Sequence, residues 1–393
     1  MKAPRTREGA AGATARSVVL AAGGTGGHVY PALAVAAELR RLRPEVRLLF
    51  IGGDRMEAQV VPAAGYEFRA ISAHGLAGRG LRGLGRRAQA AAELALGIPL
   101  FQSVSALRGC WPQVVIGAGG YVSGPVLLAA RLLGIPSLAL EGNRTPGWTS
   151  RAAAKLVEVM AVAWPEQEAF FAARVRPSAR VVVTGLPVRH EVVEAMRQEG
   201  AGVLGLDPGR TTLLALGGSL GSRPINEALV GALRMMAEGG RLHELQVLHV
   251  TGRQHPVSLA PEEARAVAPG YRALPYLGAE LPAALAAADL VVSRAGASTV
   301  AELTARGLPS VLIPWSGAST GEQQQNAEPL AKAGAALIIS DAQLTAERLA
   351  QVLEELLWDD ARRNRMAQAS RSLGRPRAAE EVARLALELA MRP

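Results

Sequence analysis

A histidine closes a glycine-rich turn near the start of the chain, Gly23-Gly24-Thr25-Gly26-Gly27-His28. The turn follows the short apolar run Ser17-Val-Val-Leu-Ala-Ala22 and precedes a stretch of helical periodicity from Pro31 to Arg40, so it reads as strand, turn, helix. Such a turn gathers backbone N–H groups and a helix N-terminus at one point, a seat for a phosphate that a larger residue would obstruct. Two further turns of this kind, at 117–120 and 217–221, point to a ligand with at least two anionic groups. A helix N-terminus disfavours an imidazolium, so His28 is expected to be neutral near pH 7 and able to accept a proton. The position also suits a helix cap or a hydrogen-bonded core histidine.

Downstream, Val291-Val-Ser-Arg294-Ala295-Gly296-Ala297-Ser298-Thr299-Val300-Ala301-Glu302 is another strand, turn and helix start. Ser298 and Thr299 are read as helix caps or phosphate ligands. Glu302, expected on the first helical turn, either compensates the helix dipole or accepts hydrogen bonds from a ribose diol. The amide cluster Glu322-Gln323-Gln324-Gln325-Asn326-Ala327 suits sugar hydroxyls and also ordinary loop surface. The first turn lacks the last glycine of GxGxxG, and no GxxxxGK[ST] occurs, which weakens dinucleotide-redox and P-loop readings. A two-domain NAD-dependent enzyme using Asp54 as its ribose acid is the reading this disfavours.

The elements that must carry these turns repeat along the chain. Val46 to Ile51 leads into Gly52-Gly53-Asp54, Val114 to Ile116 into Gly117, Ser137 to Leu140 into Glu141, and Thr211 to Leu216 into Gly217. Further strands are read at Leu245 to Val250, Leu290 to Ser293, Ser310 to Ile313 and Ala336 to Ile339. Continuous apolar runs alternating with Ala/Leu-rich helical stretches specify parallel strands covered on both faces. The 393 residues therefore divide into a loose N-terminal arm (1–16), one Rossmann-like α/β domain (17–185) and a second (186–393), facing each other across a cleft. The joint falls at Thr184-Gly-Leu-Pro-Val-Arg189, and the last helix is expected to pack back on the first domain.

Composition narrows the function classes. Hydrophobic residues make up 49% and charged residues 20%, a globular balance, and no apolar run reaches the length of a membrane span. One cysteine, Cys110, excludes an internal disulfide, and the six histidines form no HxH or HExxH pair; a cytoplasmic protein without metal is expected. The formal charge of +9 raises nucleic-acid binding, but 4% scattered aromatics offer no stacking platform. Part of the charge is local: Arg79, Arg82, Arg86 and Arg87 flank Leu81 and Leu84, a pattern suited to an anionic membrane surface.

In order along the chain, Gly23 to Ala34, Gly119-Gly120-Tyr121-Val122-Ser123-Gly124-Pro125, Asn143 with Pro146-Gly147, Pro187-Val188-Arg189, Gly217-Gly218-Ser219, Arg294 to Leu303, and Gln323 with Asn326-Ala327 resemble the MurG family. Its members are membrane-associated transferases that move N-acetylglucosamine from UDP-N-acetylglucosamine to a lipid-linked muramyl acceptor in peptidoglycan synthesis. The resemblance implies a GT-B fold, work at the cytoplasmic face of the cell membrane, and no metal or other cofactor; no DxD pair occurs. It implies His28 as the base. Thr25, Gly26, Gly27, Asn143, Arg189, Ser219, Leu277 (through its backbone), Ala297, Ser298, Thr299, Val300, Glu302 and Gln323 would bind the nucleotide sugar. Gly24, Gly119, Gly120, Tyr121 and Ser123 would line the acceptor site. The chain departs from the family pattern at Gly142, Ser150, Leu186, Leu220 and Glu322, where the family commonly has amides, or His or Gln at the last. These departures keep two alternatives open: a paralogue with another donor or acceptor, and a non-catalytic nucleotide-sugar-binding protein.

Overall fold

The computed structural model describes residues 17–73, 97–218, 220–237, 240–255, 268–317 and 321–391. The N-terminal arm, the arginines of 79–87 and Ser219 lie outside the described residues. Two all-parallel sheets organise the chain. The first runs β1 (Ser17–Ala21), β2 (Arg47–Gly52), β3 (Glu67–Ala70), β4 (Val114–Gly117), β5 (Ser137–Glu141), β6 (Val159–Val162) and β7 (Arg180–Val183), in the order β3-β2-β1-β4-β5-β6-β7. The second holds β8 (Thr211–Leu216), β9 (Leu245–Val250), β10 (Gly270–Leu274), β11 (Leu290–Ser293), β12 (Ser310–Leu312) and β13 (Ala336–Ile338), in the order β10-β9-β8-β11-β12-β13.

The strands near the middle of each sheet are mostly apolar because helices cover both faces; β1 is buried at every residue, as parallel sheets require. In each sheet the order reverses beside the first strand, between β1 and β4 and between β8 and β11. Connections leave such a point on opposite faces and open a crevice at the strands' carboxyl ends. The register sets the turns side by side there: Ala21 pairs with Gly117, and Leu216 with Ser293. Turns separated by scores of residues in sequence thus begin as neighbours.

Helices α1 (Gly26–Leu42), α2 (Glu57–Ala63) and α3 (Ser123–Leu133) belong to the first lobe, and α4 (Arg223–Ala237), α5 (Ala297–Arg306) and α6 (Glu322–Lys332) to the second. The chain crosses between lobes at 184–189 and returns beyond Gly374. The final helix, α7 (Ala378–Ala390), packs on α1 and buries Val382, Ala383, Ala386 and Leu389 in the first lobe's core. Burying Val382 and Leu389 contributes about 1.5–3 kcal/mol each, which ties the chain's end to its start. The two crossings touch: a Cβ at Gly185 would stand 2.5 Å from that of Arg375.

Candidate active site

Thr25 caps α1 in an extended conformation without using its side chain, so the first amides of the helix, which have no intrahelical acceptor, open toward the crevice. The Thr25 hydroxyl lies 3.3 Å from His28 Nδ1. The His28 ring packs on the 117–120 turn so closely that only glycine fits: a Cβ at Gly119 (φ +101°) would stand 2.5 Å from His28 Cδ2, and one at Gly120 (φ +78°) 2.2 Å from the Gly23 oxygen. Burial holds the imidazole below its ordinary pKa, while the hydrogen bond the ring donates to the Gly23 carbonyl and the charge of the Glu57 carboxylate act the other way. Lost hydration thus favours the neutral ring in the same direction as the helix N-terminus.

Tyr121 lies against Gly24, where a Cβ would come within 2.9 Å of its Cε1. Its hydroxyl is buried without a hydrogen-bond partner among the described residues, and Arg55 stands 5.5 Å over the ring. Ser123 requires a correction. Its buried hydroxyl accepts from the Gly119 amide (3.0 Å) and reaches the Ala21 (2.8 Å) and Gly119 (2.7 Å) carbonyls. It holds the glycine turn from behind and is not presented to an acceptor.

On the second lobe, the 217–221 turn approaches the segment after β9 at backbone distance; a Cβ at Gly252 would fall 2.1 Å from Gly221 Cα. Arg294 braces this region, donating to Ser222 Oγ (2.8 Å) and to Asp341 (2.5 Å). The cap of α5 is Gly296, with no side-chain bond, so Ser298 and Thr299 are not caps. Ser298 instead donates to the Gly27 carbonyl across the crevice at 3.3 Å, bringing the α5 N-terminus against the first glycine turn.

Glu302 lies on the second turn of α5, past the first turn where a charge compensates the helix dipole. Its carboxylate faces the Arg189 guanidinium at 3.7 Å, both side chains nearly buried. Burial pushes the Glu302 carboxyl up to about 7 against the opposing pull of Arg189. Arg189 in turn stands 4.8 Å over the Tyr30 ring, and the Tyr30 and Tyr276 hydroxyls meet at 2.8 Å between the lobes. Leu277, next in sequence, has its side chain in the second lobe's core, leaving its backbone to meet a ligand.

The sugar-contact candidates are joined by a residue whose role the sequence reading missed. Asn326 is fully buried; it donates to Asn143 Oδ1 (3.1 Å) and the Ala295 carbonyl (3.2 Å), and accepts from the Arg144 amide (2.9 Å). Gln323 accepts from the amides of Ala295 (3.3 Å) and Trp315 (3.0 Å) through Oε1, so its NH2 group is the part that can serve a ligand. Glu141 holds the Asn143 and Gly147 amides at 2.8 and 3.1 Å. The signals were the amide cluster and an acid at a strand end. Among the departures, Leu186 fills the space a Cβ at Gly142 would need, its two methyls 2.9 Å from that point. The Ser150 hydroxyl bonds to Glu141, and Leu220 is 58% exposed.

The crevice thus sets amide-bearing turns from both lobes against a neutral imidazole, with a carboxyl, an arginine and carboxamides along its length. Comparison with known proteins agrees in extent. Residues 18–162 match the glycosyltransferase family 28 N-terminal domain and residues 212–382 its C-terminal domain. The UDP-N-acetylglucosamine--N-acetylmuramyl-(pentapeptide) pyrophosphoryl-undecaprenol N-acetylglucosamine transferase of Desulforudis audaxviator is 42% identical over 93% of this chain and 96% of its own. The enzyme of that name from Moorella thermoacetica is 41% identical over 94% and 98%. The crystal structure of Acinetobacter baumannii MurG superposes with a TM-score of 0.67 at 28% identity, covering 95% of this chain and 99% of that one. The calicheamicin glycosyltransferase CalG4, at 20% identity, shares the fold, with a TM-score of 0.64. With two facing Rossmann-like domains in the GT-B arrangement, the chain belongs to glycosyltransferase family 28 and, within it, to the MurG family.

Proposed function

We propose that this protein transfers N-acetylglucosamine from UDP-N-acetylglucosamine to the 4-hydroxyl of the muramyl sugar on a lipid-linked acceptor, with inversion at the anomeric carbon. The hydroxyl attacks C1 as His28 takes its proton; the C1–O bond to the diphosphate breaks, and UDP leaves with the electron pair. The transition state resembles an oxocarbenium ion, so the growing charge on the diphosphate is what most needs stabilising. Fixed backbone dipoles do this without reorganising during the step; here they are the amides of the described residues of the 217–221 turn and of Ala297, Ser298 and Thr299 at the start of α5, the Val300 N–H being held by the Gly296 carbonyl, and Ser219 joins them on the family resemblance. Glu302 takes the ribose diol, Arg189 and the Leu277 backbone the uracil, and Asn143, Gln323 and the 25–27 turn the sugar. Gly24, Gly119, Gly120 and Tyr121 line the acceptor side.

The observation that carries this reading is the His28 imidazole, packed on the Gly119-Gly120 turn and following Gly27, whose carbonyl meets Ser298 at a helix N-terminus of the opposite lobe. The test is release of UDP from UDP-N-acetylglucosamine with and without a muramyl-diphosphate-lipid analogue, run beside other UDP- and TDP-sugars. Release that depends on the acceptor and prefers the N-acetylglucosamine donor is expected. Release indifferent to the acceptor, or preference for another sugar, contradicts it.

The protein meets its lipid-linked acceptor as a peripheral protein at the cytoplasmic membrane face. Among the described residues no helix is long and apolar enough to cross a bilayer. The first lobe exposes Phe101, Leu132 and Trp148 at 76%, 65% and 80%, and the arginines of 79–87 precede Phe101 in sequence. On this reading the local basic charge serves anionic lipid and not nucleic acid. Each arginine near the headgroups adds about 1 kcal/mol, so sedimentation with anionic liposomes is expected to fall as salt rises. Salt-indifferent binding, or none, would remove the electrostatic contact.

A further inference from the structure

Glu57, the first residue of α2, is fully buried. The partners of its carboxylate are backbone amides: Gly53 N at 3.1 Å, and Gly24 N at 3.3 Å to one oxygen and 3.2 Å to the other. No arginine or lysine among the described residues forms an ion pair with it. Burying a carboxylate without a cation is costly, and filling space does not need one. What only an acceptor can do here is fix the Gly23–Gly24 peptide. In a trans peptide the N–H and C=O point in opposite directions; with the Gly24 N–H turned to Glu57, the Gly23 carbonyl is aimed the other way. That oxygen sits beside the imidazole: the point where a Gly120 Cβ would stand is 2.2 Å from Gly23 O and 3.3 Å from His28 Nδ1.

We propose that Glu57 is a positioning residue for the transfer step, orienting the Gly23 carbonyl so that it holds His28 through Nδ1–H and leaves Nε2 to accept the proton of the incoming hydroxyl. The inference rests on the reading of His28 as the base. An acceptor on one imidazole nitrogen fixes the tautomer and makes the other the basic one. The carboxylate adds a negative charge that favours the imidazolium. The other groups facing the ring are the Thr25 hydroxyl and the 117–120 backbone, with the Tyr121 phenol and Arg55 beyond Gly24.

The experiment uses the full chain with Glu57→Gln, Glu57→Asp, His28→Ala and the double variant His28→Ala/Glu57→Gln, and measures kcat, donor KM and the pH profile. Glutamine keeps the shape and one acceptor oxygen but not the charge. Glu57→Gln is expected to lower kcat about 10-fold, a fraction of general-base catalysis, with donor KM unchanged and the acid limb of the profile moved to lower pH. Aspartate keeps the charge at shorter reach, so it lowers kcat while moving the limb less. In the double variant the Glu57 change adds nothing to the loss caused by His28→Ala. Wild-type kcat and acid limb in Glu57→Gln, or a loss that multiplies that of His28→Ala, overturns the proposal and leaves His28 as base. Near-normal turnover in His28→Ala overturns the base reading itself.

Discussion

Replacing His28 by alanine lowers turnover by about 100-fold or more, the scale of losing a general base, while affinity for UDP stays nearly the same. The ring packs on the Gly119-Gly120 turn and Thr25, whereas the proposed seats for uracil and ribose lie at Leu277, Arg189 and Glu302. Removing the imidazole therefore takes away the proton acceptor and leaves the nucleotide seat. Single-turnover kinetics with saturating acceptor, together with calorimetry on UDP, separates the two effects. Turnover close to the wild-type value would eliminate His28 as the base.

Glu302→Ala weakens UDP-sugar binding by about 10-fold or more, the range for losing hydrogen bonds to a charged group, and it strands the Arg189 guanidinium that now faces the carboxylate at 3.7 Å. Calorimetry reads this directly, and unchanged affinity removes the ribose assignment. The same residue predicts a pH effect on the empty protein. Burial raises the Glu302 carboxyl from 4.5 to about 7, so between these values the folded chain holds a proton that the unfolded chain has released. By linkage the contribution to stability is full below pH 4.5, falls as pH rises through about 7, and is level above. Glu302→Gln flattens that slope in thermal melts across pH 4.5–8. A slope identical to wild type would mean that the carboxyl is not desolvated as described.

The central strands were legible because buried parallel strands read as unbroken apolar runs ending in glycine, as at Ser17–Ala21, Val114–Gly117 and Thr211–Leu216. Glu67–Ala70 and Gly270–Leu274 were not; they are sheet edges with exposed charged residues such as Glu67, Arg69 and Arg272. Val159–Val162 is fully buried but runs into Ala163-Trp164-Pro165, without the glycine that marked the others. The site divides in the same way. Turn glycines and the residues beside them carry their chemistry in local sequence. The supports do not: Glu57 reaches Gly24 from 33 residues away, Ser123 reaches Ala21 from 102, and Asn326 meets Asn143 from 183. A separation of that size becomes a contact only through sheet order, which local pattern does not encode. For the same reason Ser123 looked available in sequence and proved to be the anchor of its own turn.

The account stands on a division of labour between lobes, with main-chain amides of the second receiving the departing diphosphate and an imidazole of the first preparing the incoming alcohol. A crystal structure with UDP bound tests this most directly. The expected result is a diphosphate lying against the 217–221 turn and the first amides of α5, its ribose on Glu302 and its outer phosphate facing His28; uridine nucleotide seated outside the crevice between the lobes would contradict it.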